Sequence, residues 1–183
     1  GYCRGRGGSM HLRWVEAGAL GTNAIVGGGV PPANGVAWAK KRRGDGDVVF
    51  TFFGDGAVNI GAVPESLNLA ALWSLPICFV IENNQYAVAT TTAEESREPR
   101  FSSRGLAYGI PAWRVDGMDP VAVRIASQMA VDLMRVGRGP AIIEAEVYRF
   151  FHHGGGLLGQ QGGAHHRADQ EGFHLAALTG GAG

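Results

Sequence analysis

The sequence has few cysteines and no net charge. Only two cysteines occur among its 183 residues, Cys3 and Cys78. Such a pair is too few for a disulfide framework, so we expect a reducing compartment, with the bacterial cytoplasm first and the mitochondrial matrix as the alternative. Sixteen basic residues cancel 16 acidic ones. This balance argues against nucleic acid or a membrane surface as a partner attracted by bulk charge.

Long apolar runs are also missing. No run in the sequence approaches the roughly 18 residues that a membrane-spanning helix needs, so no membrane partner is expected. Hydrophobic residues make up 45% of the chain and charged residues 17%, which is a globular composition. The chain begins at Gly1 rather than Met, and motif-like sequence follows at once. We therefore expect a piece of a longer protein, and any targeting signals would lie in the missing part.

The composition changes after the first five-sixths of the chain. Residues 154–183 are rich in Gly, His and Gln and contain only a short apolar stretch. We expect one α/β domain at 1–153, followed by an irregular or disordered tail at 154–183. The histidine pairs at 152–153 and 165–166 match no known metal-ligand spacing, and metal binding by them is the weaker alternative.

Two hydrophobic periods alternate through the proposed domain. Short apolar, β-rich runs are separated by segments with helical spacing, and Asp119 followed by Pro120 marks one helix start. This alternation predicts a doubly wound, mostly parallel α/β sheet with helices on both faces. The predicted strands are 48–53, 77–81, 112–115 and 141–148, and the predicted helices are 35–43, 64–73, 100–109 and 120–137.

Two common nucleotide-binding motifs are absent after the first predicted strand. A dinucleotide fingerprint would place a third glycine where Asn59 stands, after Gly54 and Gly56. A Walker loop would need Lys after Gly61, where the sequence has Ala62. What remains is a strand, a Gly-Asp-Gly turn and a helix. Its backbone N–H groups can approach an anion, while its single carboxylate reaches a cation that the anion carries.

Polar clusters follow all four predicted strands, where open parallel sheets bind their ligands. Asp55 follows the first strand, and Asn84 follows the second. A carboxylate, an amide oxygen, the backbone carbonyl of Tyr86 and ligand phosphates suit Mg²⁺, which prefers few carboxylates together with phosphate oxygens. These residues therefore predict a site for magnesium and a diphosphate.

Five stretches of sequence together resemble one family. They are RGRGGSMH (4–11), NAIVGGGVP (23–31), FFGDGAVNIGAVPESLNLAALWSLPICFVIENNQYAV (52–88), VDGMD (115–119) and EVYR (146–149). In combination they are similar to the alpha chain of the thiamine diphosphate-dependent decarboxylating component of 2-oxo acid dehydrogenases, of the pyruvate, branched-chain and acetoin types. The resemblance covers roughly residues 4–153 and implies the thiamine diphosphate-binding fold.

The resemblance assigns the metal and the diphosphate to the strand ends. Asp55, Asn84 and the backbone carbonyl of Tyr86 correspond to the Mg²⁺ ligands. The turn that contains Asp55 corresponds to the diphosphate site, at Gly54 and at the N–H groups of Gly56 and Ala57.

Three further positions carry over from the family. Val26 and the backbone at Ala24 correspond to the contacts with the aminopyrimidine ring, although Ala24 replaces the usual glycine. His153 corresponds to a catalytic loop histidine near the diphosphate and the reacting centre. Gly154 follows it where the family often has serine, so a phosphorylation switch is not expected there. Asn59 either lines the diphosphate site or satisfies the first helical turn.

The implied activity is oxidative decarboxylation of a 2-oxo acid, pyruvate in the first place, with acyl transfer to a lipoyl acyltransferase. The implied partner is a beta subunit in a heterotetramer, which supplies the glutamate that activates the aminopyrimidine. The family's Tyr-Arg pair for the diphosphate is not found in this sequence, so we expect this chain alone to bind cofactor weakly and to be inactive.

Three alternatives stay open at this point. An acetoin dehydrogenase alpha subunit would share the same motifs. A non-catalytic anion-binding module on a doubly wound sheet would need no cation at Asp55. A structural remnant would only pair with partner chains.

Overall fold

A five-stranded sheet forms the centre of the protein. The computed structural model describes residues 3–8, 10–150 and 153, and the backbone of 176–178. The strand order is β1-β2-β6-β5-β7, and β1, β2, β6 and β5 run parallel to one another. A separate two-stranded hairpin pairs β3 with β4. The strands are β1 (Val49–Gly54), β2 (Ile77–Asn83), β3 (Tyr86–Ala87), β4 (Thr90–Thr91), β5 (Ala112–Asp116), β6 (Ala141–Glu146) and β7 (Ala176–Leu178).

Helices connect the strands, and most follow the prediction from the sequence. The α-helices are α1 (Val30–Arg43), α2 (Ala62–Leu72), α3 (Thr92–Glu95) and α4 (Pro120–Arg135). Helix α1 begins five residues before the predicted start at 35, because its two prolines lie in the first turn, where no backbone donor is needed. The segment predicted as a helix at 100–109 is a 3-10 helix, Phe101–Tyr108. Asp119 caps α4 as expected, since its Oδ1 accepts a hydrogen bond of 2.8 Å from the N–H of Val121.

Both faces of the sheet are covered, as a doubly wound fold requires. Alternate side chains of β2 point to opposite faces: Phe79 packs in one core cluster with residues of α1 and α2, whereas Val80 packs in the other with residues of α4. The prediction of a doubly wound, mostly parallel α/β sheet is confirmed. In the described part of the chain, no helix has the length and apolar character to cross a membrane.

Residues 154–183 were expected to form an irregular tail, but strand β7 lies within them. It pairs antiparallel with β5, so the sheet is mixed at this edge. The remainder of that tail, including the histidine pair at 165–166, lies outside the described residues. The division at residue 153 stays a prediction.

Cys78 gives a simple check of this core. Its side chain is completely buried in β2, and burial raises the pKa of the thiol to about 12. Cys3 is only half-buried. We expect a disulfide reagent to label one thiol per native chain, and the second only after denaturation. Labelling of the native Cys3→Ser variant at the rate of wild type would contradict the buried position of Cys78.

Candidate functional site

The carboxyl ends of the parallel strands lie side by side at one end of the sheet, which is called this edge below. Gly54 lies opposite Glu82, the next-to-last residue of β2, and Asn83 lies opposite Glu146 at the end of β6. Asp116, at the end of β5, also lies opposite Glu146. The polar clusters predicted after the four strands therefore share one edge, as expected for the ligand-binding end of an open parallel sheet.

Asp55 is the centre of this edge. It begins a 3-10 helix, Asp55–Ala57, directly after β1. Asp55 is only 1% exposed, yet Oδ2 of its carboxylate has no hydrogen-bond partner among the described residues. Burial raises the pKa of Asp55, against the opposing effects of the backbone N–H groups of Asp55, Gly56 and Tyr86 and of the charge of Arg149. A buried carboxylate oxygen without a partner is costly in itself and suits a bound cation.

The backbone N–H of Tyr86 lies next to both Asn84 and Asp55. Oδ1 of Asn84 accepts a hydrogen bond of 3.1 Å from the N–H of Tyr86. The same N–H is directed at the carboxylate of Asp55, whose pKa it lowers. One backbone donor therefore lies next to both predicted oxygen ligands. The structure brings the three predicted metal-binding residues together, although their role in binding a metal stays a prediction.

The close approach of the β3–β4 hairpin explains the glycine after Asp55. A Cβ atom at Gly56 would lie 2.6 Å from the Cβ of Ala87 and 3.2 Å from its Cα. No other residue type fits there without displacing the hairpin, because backbone atoms of β3 lie in the way. The glycine therefore permits the contact that places Tyr86 next to Asp55.

Replacing this glycine gives a test of the contact. Gly56→Ala should lower the melting temperature and weaken cofactor binding, because the added methyl group pushes the hairpin away from Asp55. Gly61→Ala is the matched control, since it adds the same methyl group at a backbone with helical φ and ψ and only one side-chain atom lies near, at 4.0 Å. Equal melting temperatures and equal affinities of the two variants would contradict the steric account.

The two adjacent asparagines make different contacts. Asn83 is buried, and its Nδ2 donates a 2.8 Å hydrogen bond to Oε1 of Glu144. Its own Oδ1 accepts from the N–H of Gln85 at 3.0 Å. Asn83 thus stabilises the turn from within the core, whereas the partly exposed Asn84 accepts a hydrogen bond from the N–H of Tyr86, a group that also faces the carboxylate of Asp55. Glu144 is completely buried and also accepts from the N–H of Ser102 at 2.8 Å.

Arg149 was not identified as a site residue from the sequence. Its Nη2 donates to the carbonyl of Val88 at 2.7 Å, and its Nη1 lies 3.5 Å from the carbonyl of Tyr86. The guanidinium also lies over the ring of Tyr86, 5.7 Å from the ring centre. It therefore clamps the hairpin and adds a positive charge near Asp55. Arg149 belongs to the quoted EVYR stretch, but that stretch does not indicate its contact with the β3–β4 hairpin.

The remaining predicted positions lie farther out. Ala24 and Val26 are exposed in a loop that precedes α1. That loop reaches the chain just after Asp55, since a Cβ at Gly27 would lie 3.4 Å from Ile60. His153 is exposed in a turn, so the structure does not bury it at the site, and its catalytic role stays a prediction.

Asn59 has a third role that the sequence did not indicate. Its Nδ2 donates to the carbonyl of Glu95 at 3.2 Å and to Oγ of Ser96 at 2.9 Å, and its Oδ1 accepts from Arg104 at 2.8 Å. It therefore ties the turn after Asp55 to the chain beyond the β3–β4 hairpin. A place for Asn59 beside the diphosphate stays a prediction, which these bonds do not test.

The protein oxygens at this edge are too few for a hard cation, so a bound phosphate compound would have to supply further oxygens. Among the described residues, no three His, Cys, Asp or Glu side chains form a metal-binding group. One or two carboxylates, an amide and a carbonyl, with oxygens from a phosphate, are what Mg²⁺ accepts. The described residues thus place a carboxylate, an amide oxygen and a backbone carbonyl at the carboxyl end of a doubly wound sheet.

Comparison with known proteins assigns the family. The model of the dehydrogenase E1 component family matches residues 1–156. The chain belongs to this family, which confirms the resemblance found in its motifs.

Individual relatives agree with this assignment. The chain is 45% identical over 153 residues to the pyruvate dehydrogenase E1 component subunit alpha of Rhizobium meliloti, covering 84% of this chain and 44% of that protein. The corresponding subunit of Zymomonas mobilis is 47% identical over 153 residues, which cover 84% of this chain and 43% of the relative. The alpha subunit of acetoin:2,6-dichlorophenolindophenol oxidoreductase of Cupriavidus necator is 45% identical, with 84% of this chain and 46% of the relative covered. The chain thus spans less than half the length of these relatives.

Solved structures support the fold. A putative thiamin diphosphate-dependent enzyme from Mycobacterium smegmatis matches with a TM-score of 0.57 at 23% identity, over 72% of this chain and 24% of that one. Transketolase from Leishmania mexicana matches with a TM-score of 0.59 at 20% identity, over 68% of this chain and 20% of that one. The fold predicted from the sequence is therefore confirmed.

Proposed function

We propose that this chain is the diphosphate- and magnesium-binding part of the alpha subunit of a thiamine diphosphate-dependent 2-oxo acid dehydrogenase. The observation that carries the proposal is the buried, unpartnered Oδ2 of Asp55 beside Asn84 and Tyr86. The pyruvate dehydrogenase alpha subunits among the relatives support pyruvate as the substrate. The acetoin oxidoreductase relative, at similar identity, supports acetoin as the second candidate.

The residues of the site fit the cofactor and its metal. Asp55, Asn84 and the carbonyl of Tyr86 would hold Mg²⁺, and the N–H groups of Gly56 and Ala57 would hold the diphosphate. When bound, thiamine diphosphate supplies the nucleophilic carbon and the electron sink for decarboxylation. The chain contributes binding and orientation: Gly56 lets the hairpin close on the turn, and Arg149 holds that hairpin in place.

The residues assigned to the aminopyrimidine ring and to the reacting centre lie in less enclosed parts of the chain. Val26 and the backbone at Ala24 would contact the ring, and His153 would act near the reacting centre. Ile25 and Val26 are 74% and 62% exposed. Apolar side chains so exposed beside a polar site suit a partner surface. A beta subunit in a heterotetramer would cover them, and a lipoyl acyltransferase would accept the acyl group.

The proposal is tested by co-expressing this chain with a beta chain of the family. Calorimetry should detect binding of thiamine diphosphate that requires MgCl₂, and oxidation of pyruvate, branched 2-oxo acids and acetoin should be measured side by side. Binding that is independent of Mg²⁺ and of Asp55 would favour a non-catalytic anion-binding module. Turnover by this chain without a beta chain would contradict the expected shared site. The cytoplasm as its compartment stays a prediction.

A further inference from the structure

Glu95, the last residue of α3, has the same unusual feature as Asp55. Its Oε1 is buried and has no hydrogen-bond partner among the described residues, as is true of Oδ2 of Asp55. Carboxylate oxygens of this kind are normally paired, because an unsatisfied buried oxygen is costly. Oε2 of Glu146 is a third such oxygen, but the carboxylate of Glu146 is paired with Arg114, whereas Glu95 lies on a helix that contacts the turn of Asp55.

Glu95 and Asp55 belong to elements that contact each other. Helix α3 packs against the 3-10 helix that Asp55 begins. Burial raises the pKa of Glu95, and the negative charge of Asp55 raises it further. The pair is therefore repulsive in the absence of a cation, whereas a divalent cation between or beside the two groups would turn the repulsion into attraction.

The position of Glu95 is fixed rather than incidental. Thr91 and Glu94 form a capping box at the start of α3, in which Oε2 of Glu94 accepts from the N–H of Thr91 at 2.8 Å. At the end of the helix, Nδ2 of Asn59 donates to the carbonyl of Glu95 at 3.2 Å. Asn59 follows Asp55 by four residues, so the same turn positions both carboxylates.

We infer that Glu95 contributes a second negative charge to the cation site formed by Asp55, Asn84 and Tyr86. It is a positioning residue, which acts on the cofactor through the cation rather than on the reacting atoms. This inference rests on the proposed function, because it assumes that the site binds Mg²⁺ together with thiamine diphosphate. It also gives the hydrogen bonds of Asn59 a purpose, since they place Glu95 at the site.

The test uses this chain co-expressed with a beta chain and compares wild type with Glu95→Gln and Glu94→Gln. The Glu94 variant is the matched control: it removes one charge from the adjacent position, and glutamine can replace glutamate in a capping box. Affinity for Mg²⁺ is measured by calorimetry at saturating thiamine diphosphate, and the melting temperature is measured without the metal. Glu95→Gln should weaken Mg²⁺ binding about tenfold, and Glu94→Gln should leave it unchanged.

A second readout separates a site role from a structural one. Without metal, Glu95→Gln should melt at or above the wild-type temperature, because the repulsion with Asp55 is removed. Glu95→Asp, which keeps the charge, should recover part of the affinity. Unchanged Mg²⁺ affinity in Glu95→Gln, or a lower melting temperature without metal, would overturn the inference and leave the proposed function intact. Failure of wild type to bind Mg²⁺ with thiamine diphosphate would overturn both.

Discussion

Asp55→Asn should abolish Mg²⁺-dependent binding of thiamine diphosphate and still leave the protein at least as stable as wild type. The loss follows because an amide carries no charge to attract the cation, and we expect a decrease in affinity of a hundredfold or more. The retained stability follows because burial already opposes ionisation of this carboxylate, as its raised pKa shows. Calorimetric titration and a thermal melt without metal test the two halves of this prediction separately.

The pH dependence of the wild type follows from the same group. Because the pKa of Asp55 is raised on folding, this residue favours the folded state at low pH, and that contribution is lost as the pH rises from 3.8 through the raised value. Cation binding has the opposite dependence, since it needs the ionised carboxylate. Mg²⁺ affinity should therefore fall as the pH is lowered through the raised pKa.

Glu65→Gln is the matched control for Asp55→Asn. It removes one negative charge from an exposed position on α2 and should change neither property. If Asp55→Asn bound Mg²⁺ and cofactor like this control, the assignment of the cation site would be wrong.

Glu144→Ala should have the largest effect on stability. Both of its carboxylate oxygens are in use within the core, one accepting from Asn83 and the other from Ser102, each at 2.8 Å. Truncation leaves these two buried donors without partners, which should cost about 3 kcal/mol and lower the melting temperature by roughly 6–12 °C. Cofactor affinity should fall as well, because Asn83 then no longer holds the turn that presents Asn84. Thermal melts and calorimetry measure the two effects.

Glu82→Ala provides the comparison for Glu144→Ala. Glu82 lies at the same edge of the sheet, one residue before Asn83, but its side chain is exposed. Its removal should change the melting temperature by no more than about 1–2 °C. A melting temperature of Glu144→Ala within the same range would show that the buried network does not stabilise the core.

Much of the fold was accessible from local patterns. Strand β2 was predicted because a run of large apolar residues ends in polar ones, and α4 because its apolar residues repeat at helical spacing between Asp119 and Gly137. Local patterns failed where the type of helix depends on packing. The segment at 100–109 has an apolar spacing that suits an α-helix, yet Gly105 lies where a Cβ would be 2.6 Å from the carbonyl oxygen of Ile110, and the chain forms the tighter 3-10 helix there.

The candidate site also contains residues that were predictable from the sequence and residues that were not. Asp55 and Asn84 were identifiable because each follows an apolar run, and parallel strands bring such residues to one edge. Glu95 and Arg149 were not, since their contacts with the site join residues 40 and 63 positions apart in the chain. Side chains so distant in sequence leave no periodic or motif signal that links them.

The sequence by itself determined the alternation of strands and helices, the edge at which polar residues gather and the family to which the chain belongs. These follow from hydrophobic period and from the order of short motifs, both of which are written along the chain. Only the tertiary structure decided that Asn83 is bonded to Glu144 in the core while Asn84 and Asp55 share the N–H of Tyr86, and that the helix of Glu95 packs against the turn of Asp55. The physical reason is that burial and unsatisfied hydrogen-bonding capacity are properties of packed neighbours, and they exist only once distant segments have met.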